Sequence, residues 1–374
     1  MKDVAEKFAQ GLFVRLLPGL INVGVLLLIG EWLSAAQFGE YSTVIATAGF
    51  LASLLFGPLT FSIVPYHARF ESDGRRDEYE SSVIVTALAI GVLFILAGAF
   101  AVVAGLMPMA YVAPGAAFGL YTIALEILRA RVRLWSYGLA SLVQSAILLA
   151  SVTFYMSQSR NASAALHSFT VSYGCAFVVA LGLVGGVKLR RPDFSVFYNS
   201  VSEGGKYTVS VIIENGLLLG LRYMVSYLGS PQMLGAFSFG FDLAQRIVGI
   251  TINITSFAVV PAAFKVHVSG GQKFEKSLMQ SALFAVAISL LVLVSTILVS
   301  NFDWIPGLGS ALFNPATFAI ISLGVIVNRF KKLTIDQVAM RNGNAISIPR
   351  GLMFAVPFAL LLAWAFHKLS LIHI

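Results

Sequence analysis

A single cysteine, Cys175, in 374 residues rules out a disulfide within the chain, and five histidines without metal-ligand spacing offer no zinc site. Charge is scarce too: 11% of residues are charged, where soluble domains carry about a quarter. No polar stretch is long enough to form a separate soluble domain. After the charged lead-in Met1-Lys2-Asp3-Val4-Ala5-Glu6-Lys7 there is no small-residue cleavage site, so the first apolar run is expected to stay in place as a helix. Phosphate loops are missing as well. The glycine-rich piece Gly182-Leu183-Val184-Gly185-Gly186 closes an apolar run, where small residues serve helix packing.

What the chain has in abundance is apolar length. Hydrophobic residues make up 58% of it and the mean hydropathy is +0.86. Runs approaching or exceeding the ~20 residues of a spanning helix recur from end to end. Punctuation divides them into eleven spans, at 12–31, 42–64, 83–106, 110–128, 136–156, 168–187, 208–228, 235–262, 279–300, 311–328 and 350–367. Prolines such as Pro18, Pro58 and Pro357 fall inside them, as lipid-embedded helices allow.

Twenty of the 25 lysines and arginines fall at the N-terminus or in connectors on its side, whereas the opposite connectors hold Arg160 and, past the eleventh span, Lys368. By the positive-inside rule the N-terminus is expected in the cytoplasm, of a bacterial inner membrane on this reading. The same asymmetry accounts for the net charge of +8 without a nucleic-acid partner.

The chain also repeats itself. At a gapless offset of 196 residues Ser34, Gly39 and Ser42 fall on Ser230, Gly235 and Ser238, and Ile63-Val64-Pro65 falls on Val259-Val260-Pro261. Arg69, Gly74 and Ser81 continue the match onto Lys265, Gly270 and Ser277. The repeat covers six spans, so both copies have the same orientation and are related by an axis along the membrane normal. The expected organisation is an N-lobe at 1–187, a cytoplasmic linker at 188–207 and a C-lobe at 208–368 with only five spans. The ending Leu369-Ser370-Leu371-Ile372-His373-Ile374 resembles a translated transposase adapter from sequencing-library preparation. Residues 369–374 are therefore expected to be foreign, and the native chain to hold a twelfth span. The fold class is all-α polytopic membrane protein, with two parallel six-helix lobes around a central cavity.

Ionisable groups within spans are expensive and usually face an interior path or a partner. They are Arg15, Glu126, Glu214, Arg222, Asp242 and Arg246. Asp242 and Arg246 are four residues apart and share a helix face. Arg222 lies at the depth of Asp242, so a pair across the hairpin is geometrically open, and Glu214 lies two turns deeper. The repeat supplies a control: Asp242 and Arg246 correspond to Ala46 and Phe50, so the fold itself does not demand charge there. Two readings stand, self-neutralised structural pairs or a wet cavity whose arginines attract an anion. Arg15, one turn inside the first span, also suits snorkelling to the interface. Tyr111, Tyr121, Trp135 and Tyr137 near span ends read first as an interfacial belt and second as sugar-stacking platforms.

Four stretches carry a resemblance: "LSAAQFGEYS" (Leu33 to Ser42), "FGPL" (Phe56 to Leu59), "EILRARVR" (Glu126 to Arg133) and "LGSPQMLGAFSFGFDLAQ" (Leu228 to Gln245). With them the chain resembles the polysaccharide-repeat-unit flippases, O-antigen type included, of the multidrug/oligosaccharidyl-lipid/polysaccharide exporter superfamily. The resemblance implies a V-shaped pair of lobes moving undecaprenyl-diphosphate-linked oligosaccharide between leaflets by alternating access, coupled to H+ or Na+ and working beside polysaccharide polymerase machinery. It implies cationic cavity residues, for which Arg15, Arg222 and Arg246 are the candidates by position, with Glu214 and Asp242 as coupling or charge-balance groups. No cofactor or metal is expected. A drug/cation antiporter of the same superfamily is the alternative, and would want a cavity rich in carboxylates. A membrane glycan polymerase or ligase would want a sizeable outward loop, and the sequence has none.

Overall fold

The computed structural model describes residues 2–105, 111–185, 193–267, 271–300 and 312–334, and these residues form helices with no strand among them. In lipid no water is present to satisfy backbone amides, so apolar runs of this length close their hydrogen bonds internally. In chain order the helices are α1 (Lys2–Trp32), α2 (Ala35–Ser72), α3 (Arg76–Val103), α4 (Val112–Ala130), α5 (Leu134–Gln158), α6 (Ala162–Val184), α7 (Phe194–Leu228), α8 (Pro231–His267), α9 (Gly271–Ser300) and α10 (Pro315–Leu333). Among the described residues α1 to α7 each contain a stretch long and apolar enough to cross a membrane. The protein is a multi-pass membrane protein. The eleventh expected span, 350–367, and the tail at 369–374 lie outside the described residues.

Polar caps divide one helix from the next. Ser34 Oγ accepts from the Gln37 backbone N–H at 3.3 Å, and Gln37 Oε1 accepts from the Ser34 N–H at 3.1 Å. This reciprocal capping box starts α2 only two residues after α1 ends. The repeat-matched Ser230 caps α8 through the Met233 N–H, with Pro231 opening the helix. Asn161 caps α6 and Asn314 caps α10 in the same manner. The connector expected between the first two spans therefore shrinks to a cap, since α2 begins at Ala35 rather than at residue 42. Likewise α7 begins at Phe194, so residues 194–207 of the expected linker are helical. Asp193 caps that helix by accepting from the Ser195 N–H at 2.8 Å, while its own N–H donates to Ser82 on α3.

The packing reproduces the repeat. Helix α1 packs on α8 as α7 packs on α2, and α2 meets α8, its own counterpart, at the centre. That is the pattern an axis along the membrane normal generates. At the α2–α8 crossing the repeat-matched glycines face each other. A Cβ on Gly39 would stand 3.0 Å from the Gly235 nitrogen, and one on Gly235 would collide with the Ala35 carbonyl.

Two cores follow from this arrangement. One is shared by both lobes on the side away from the N-terminus and runs from Leu26, Phe38 and Tyr41 to Phe239, Leu243 and Phe318. The other belongs to the first six helices and lies toward the N-terminal side, around Phe56, Tyr79, Ile123 and Ile127. The lobes thus share apolar packing at one end, and at the other a cavity lies between α1, α4 and α5 on one side and α8 and α10 on the other, beside the close α2–α7 crossing at Gly57–Thr208 and Pro58–Gly204.

Candidate functional site

The cavity, of about 270 Å³, lies between the lobes in the half nearer the N-terminus. Its N-lobe wall is Val14, Arg15, Pro18, Gly19 and Asn22 of α1, Tyr121 and Leu125 of α4, and Tyr137, Ser141 and Gln144 of α5. Its C-lobe wall is Gln245, Arg246, Gly249 and Ile250 of α8 and Arg329 of α10. Among the described residues three guanidinium groups and no carboxylate line it.

Each arginine is positioned by a neighbour. The Arg15 guanidinium lies over the Tyr137 ring at 4.6 Å, a cation–π contact. Arg246 Nη1 donates to the Asn22 carbonyl across the lobe boundary at 2.5 Å. Arg329 Nη2 donates to Gln245 Oε1 at 2.9 Å. Tyr121 and Tyr137 are buried in the wall, with the Tyr121 hydroxyl donating to the Ala140 carbonyl, so neither forms part of an interfacial belt. Trp135, two residues before Tyr137, is 61% exposed, as a belt residue would be.

The structure divides the sequence candidates. Arg15 and Arg246 line the cavity, and Arg222 does not. Arg222 turns to Asp242, with Nη2 donating to Oδ1 at 2.5 Å, and its guanidinium covers the Phe241 ring at 5.0 Å. Asp242 also accepts from the Ser42 hydroxyl at 2.5 Å, so this carboxylate is bound on both sides, once within the C-lobe and once across to α2. Glu214 is held by Lys332 at 2.7 Å and by the Asn328 amide at 2.8 Å. Glu126 pairs with Arg129 one turn on. All three carboxylates expected within spans therefore pair with cations, away from the cavity wall.

Arg329 was missed because it stood one residue past the expected end of the tenth span, among the basic topology signals. The structure carries α10 on to Leu333 and turns Arg329 inward. A signal was present: no glycine or proline interrupts Val325 to Leu333, so the helix had no reason to stop at Asn328.

A second polar cluster ties the first lobe together near the N-terminal side. Glu80 is fully buried and receives Arg131 through both carboxylate oxygens, with His67 Nε2 at 2.9 Å. The Glu80 hydrogen bond raises the Arg131 pKa above its usual value. Arg131 and Arg133 also donate to the terminal carbonyls of α6, at Leu183, Val184 and Gly185. Cations at a helix C-terminus satisfy orphan carbonyls and oppose the helix dipole. Among the described residues no three histidine, cysteine, aspartate or glutamate side chains come together as metal ligands.

No family model matches the chain, and no curated protein matches it in sequence. Solved structures do. An inward-facing multidrug resistance MATE family transporter of the MOP superfamily matches over 96% of this chain and 98% of its own, with a TM-score of 0.61 and 14% identity. The outward-facing conformation of a transporter so described matches over 98% and 95%, with a TM-score of 0.55 and 15% identity. A eukaryotic MATE transporter matches over 97% and 90%, with a TM-score of 0.59 and 13% identity. At such identities the likeness is one of fold: the chain has the MATE-like transporter fold.

Proposed function

We propose that the protein is a transporter that moves a lipid-linked anionic glycan across the membrane, of the class of undecaprenyl-diphosphate-linked oligosaccharide repeat units, by alternating access. The observation that carries this reading is the cavity lining, with Arg15, Arg246 and Arg329 converging and no carboxylate among the described lining residues. A diphosphate presents several anionic oxygens, which suit guanidinium donors contributed by three helices. A cavity of about 270 Å³ holds a diphosphate and part of a sugar. The polyprenyl chain belongs in the lipid outside the bundle, where burial of its apolar length needs no protein contact. The basic connectors orient the N-terminus, and with it the loading side, toward the cytoplasm of a bacterial inner membrane. Coupling to H+ or Na+ and contact with a glycan polymerase belong to the same proposal, with Asp242 and Glu214 balancing buried cations.

The test is a leaflet assay. In proteoliposomes carrying undecaprenyl-diphosphate-linked oligosaccharide, Arg246→Ala is expected to reduce the glycan reaching the opposite leaflet by at least tenfold while the protein still inserts. Normal movement by Arg246→Ala and by Arg329→Ala would remove the cavity arginines from the mechanism.

Drug/cation antiport is the second reading, favoured by the multidrug descriptions of two of the matching structures. It requires cationic-dye efflux that Asp242→Asn or Glu214→Gln abolishes, and it gives Arg246→Ala no reason to fail.

A further inference from the structure

The cavity holds one feature that anion binding leaves unused. Gln144 lines it, is 4% exposed, and its Nε2 has no hydrogen-bond partner among the described residues. A buried donor left unmet is destabilising, and such groups in folded proteins generally have a water or ligand partner. Of the buried side-chain donors left unmet among the described residues, Gln144 is the uncharged one on the cavity wall.

Its orientation is set from behind. The Ser145 hydroxyl lies 3.4 Å from Gln144 Oε1, and Ser145 in turn accepts from Asn22 Nδ2 at 2.9 Å. The Asn22 carbonyl accepts from Arg246. A chain of polar contacts therefore runs from the Arg246 guanidinium to the Gln144 amide, and both residues line the same cavity. An uncharged donor placed beside a cluster of fixed cations suits a ligand with a neutral acceptor next to its anionic group.

We propose that Gln144 is a specificity-determining residue, whose Nε2–H donates to an uncharged oxygen, a hydroxyl or an amide carbonyl, on the sugar that adjoins the anionic group. The inference rests on the proposed function and names which part of the ligand is read. Sites that hydrogen-bond a substrate group reject analogues lacking it, because the buried donor is then left unpaired.

The test measures binding of two probes to the purified full chain in nanodiscs: undecaprenyl diphosphate, and undecaprenyl diphosphate bearing a single N-acetylglucosamine. The wild-type protein is expected to bind the sugar-bearing lipid roughly five- to tenfold more tightly. Gln144→Met keeps the side-chain volume and removes the donor. It is expected to bring the ratio close to one while the affinity for the sugar-free lipid stays unchanged, which also reports that the variant is folded. An unchanged ratio in Gln144→Met overturns the inference, as does equal weakening for both probes, since the amide would then only support the arginines. So does a wild-type protein without preference. If the wild type binds neither lipid, the proposed function fails and this inference falls with it.

Discussion

Arg131, Val132 and Arg133 form a turn in which two arginines are fixed from opposite sides of a strained residue. Val132 has a φ of +55°, a conformation that a β-branched side chain rarely adopts, and its side chain is exposed and makes no compensating packing. The flanking arginines hold the turn through Glu80 and the α6 carbonyls. Val132→Gly is expected to raise stability by about 1 kcal/mol, read as a rise of a few degrees in the melting temperature. Arg131→Ala leaves the buried Glu80 carboxylate with His67 at 2.9 Å and the Arg76 guanidinium at 3.9 Å. It should destabilise by about 3–5 kcal/mol, whereas Arg131→Met combined with Glu80→Gln should recover much of that loss. Thermal melts of the two variants side by side separate a charge penalty from a packing one.

At the scale of elements, the N-terminus of α7 is pinned to the first lobe. Asp193 caps the helix and sits 3.6 Å from Arg75, and its backbone N–H reaches Ser82. The backbone and side-chain hydrogen bonds from Ser195 lower the Asp193 pKa below the usual carboxylate value of 3.8. A carboxylate with a depressed folded pKa stabilises when ionised, so its contribution is complete above the unfolded value and is lost as the pH falls through the folded one. Asp193→Ala is accordingly expected to speed amide exchange in the first turn of α7 at neutral pH. The difference from wild type should narrow as the pH drops below 3.8.

For the whole molecule, the decisive contact is the one that joins the lobes beyond the cavity. Gly39 and Gly235 bring the backbones of α2 and α8 together, Phe38 meets Phe239 edge-on at 5.3 Å, and the Ser42 hydroxyl reaches Asp242. The proposed alternating access would require these contacts to open. Ser42→Ala removes the cross-lobe hydrogen bond and leaves the Arg222–Asp242 pair intact. With Cys175→Ser as background, spin labels at Gln158→Cys and Gln232→Cys report the distance between the lobes on this side. Ser42→Ala is expected to add a longer-distance population; an identical distribution would show that the Ser42–Asp242 hydrogen bond does not hold this end closed.

Much of this was legible beforehand, for identifiable reasons. The helices and their breaks follow from apolar length and from caps such as Ser34 and Ser230. The repeat at 196 residues foretold that Gly39 and Gly235 occupy equivalent places, and the structure adds that they touch. The Arg222–Asp242 pair could be anticipated because both residues lie at one depth of one hairpin. By contrast, Arg222 and Arg329 exchanged the places the sequence suggested for them, and nothing in the sequence sets Gln144 apart from the other uncharged polar residues within spans, Asn22, Asn215, Gln245 and Asn253.

Sequence by itself determined an all-helical membrane chain, the direction and period of its repeat and the short list of charges it keeps within its spans, because bilayer thickness and backbone hydrogen bonding leave little choice about any of these. Only the tertiary structure decided which of those charges face the cavity. Lipid and protein interior are both apolar, so a spanning helix has no strong polar face to announce its rotation. Whether an arginine meets a ligand or a carboxylate depends on that rotation and on the neighbouring helix.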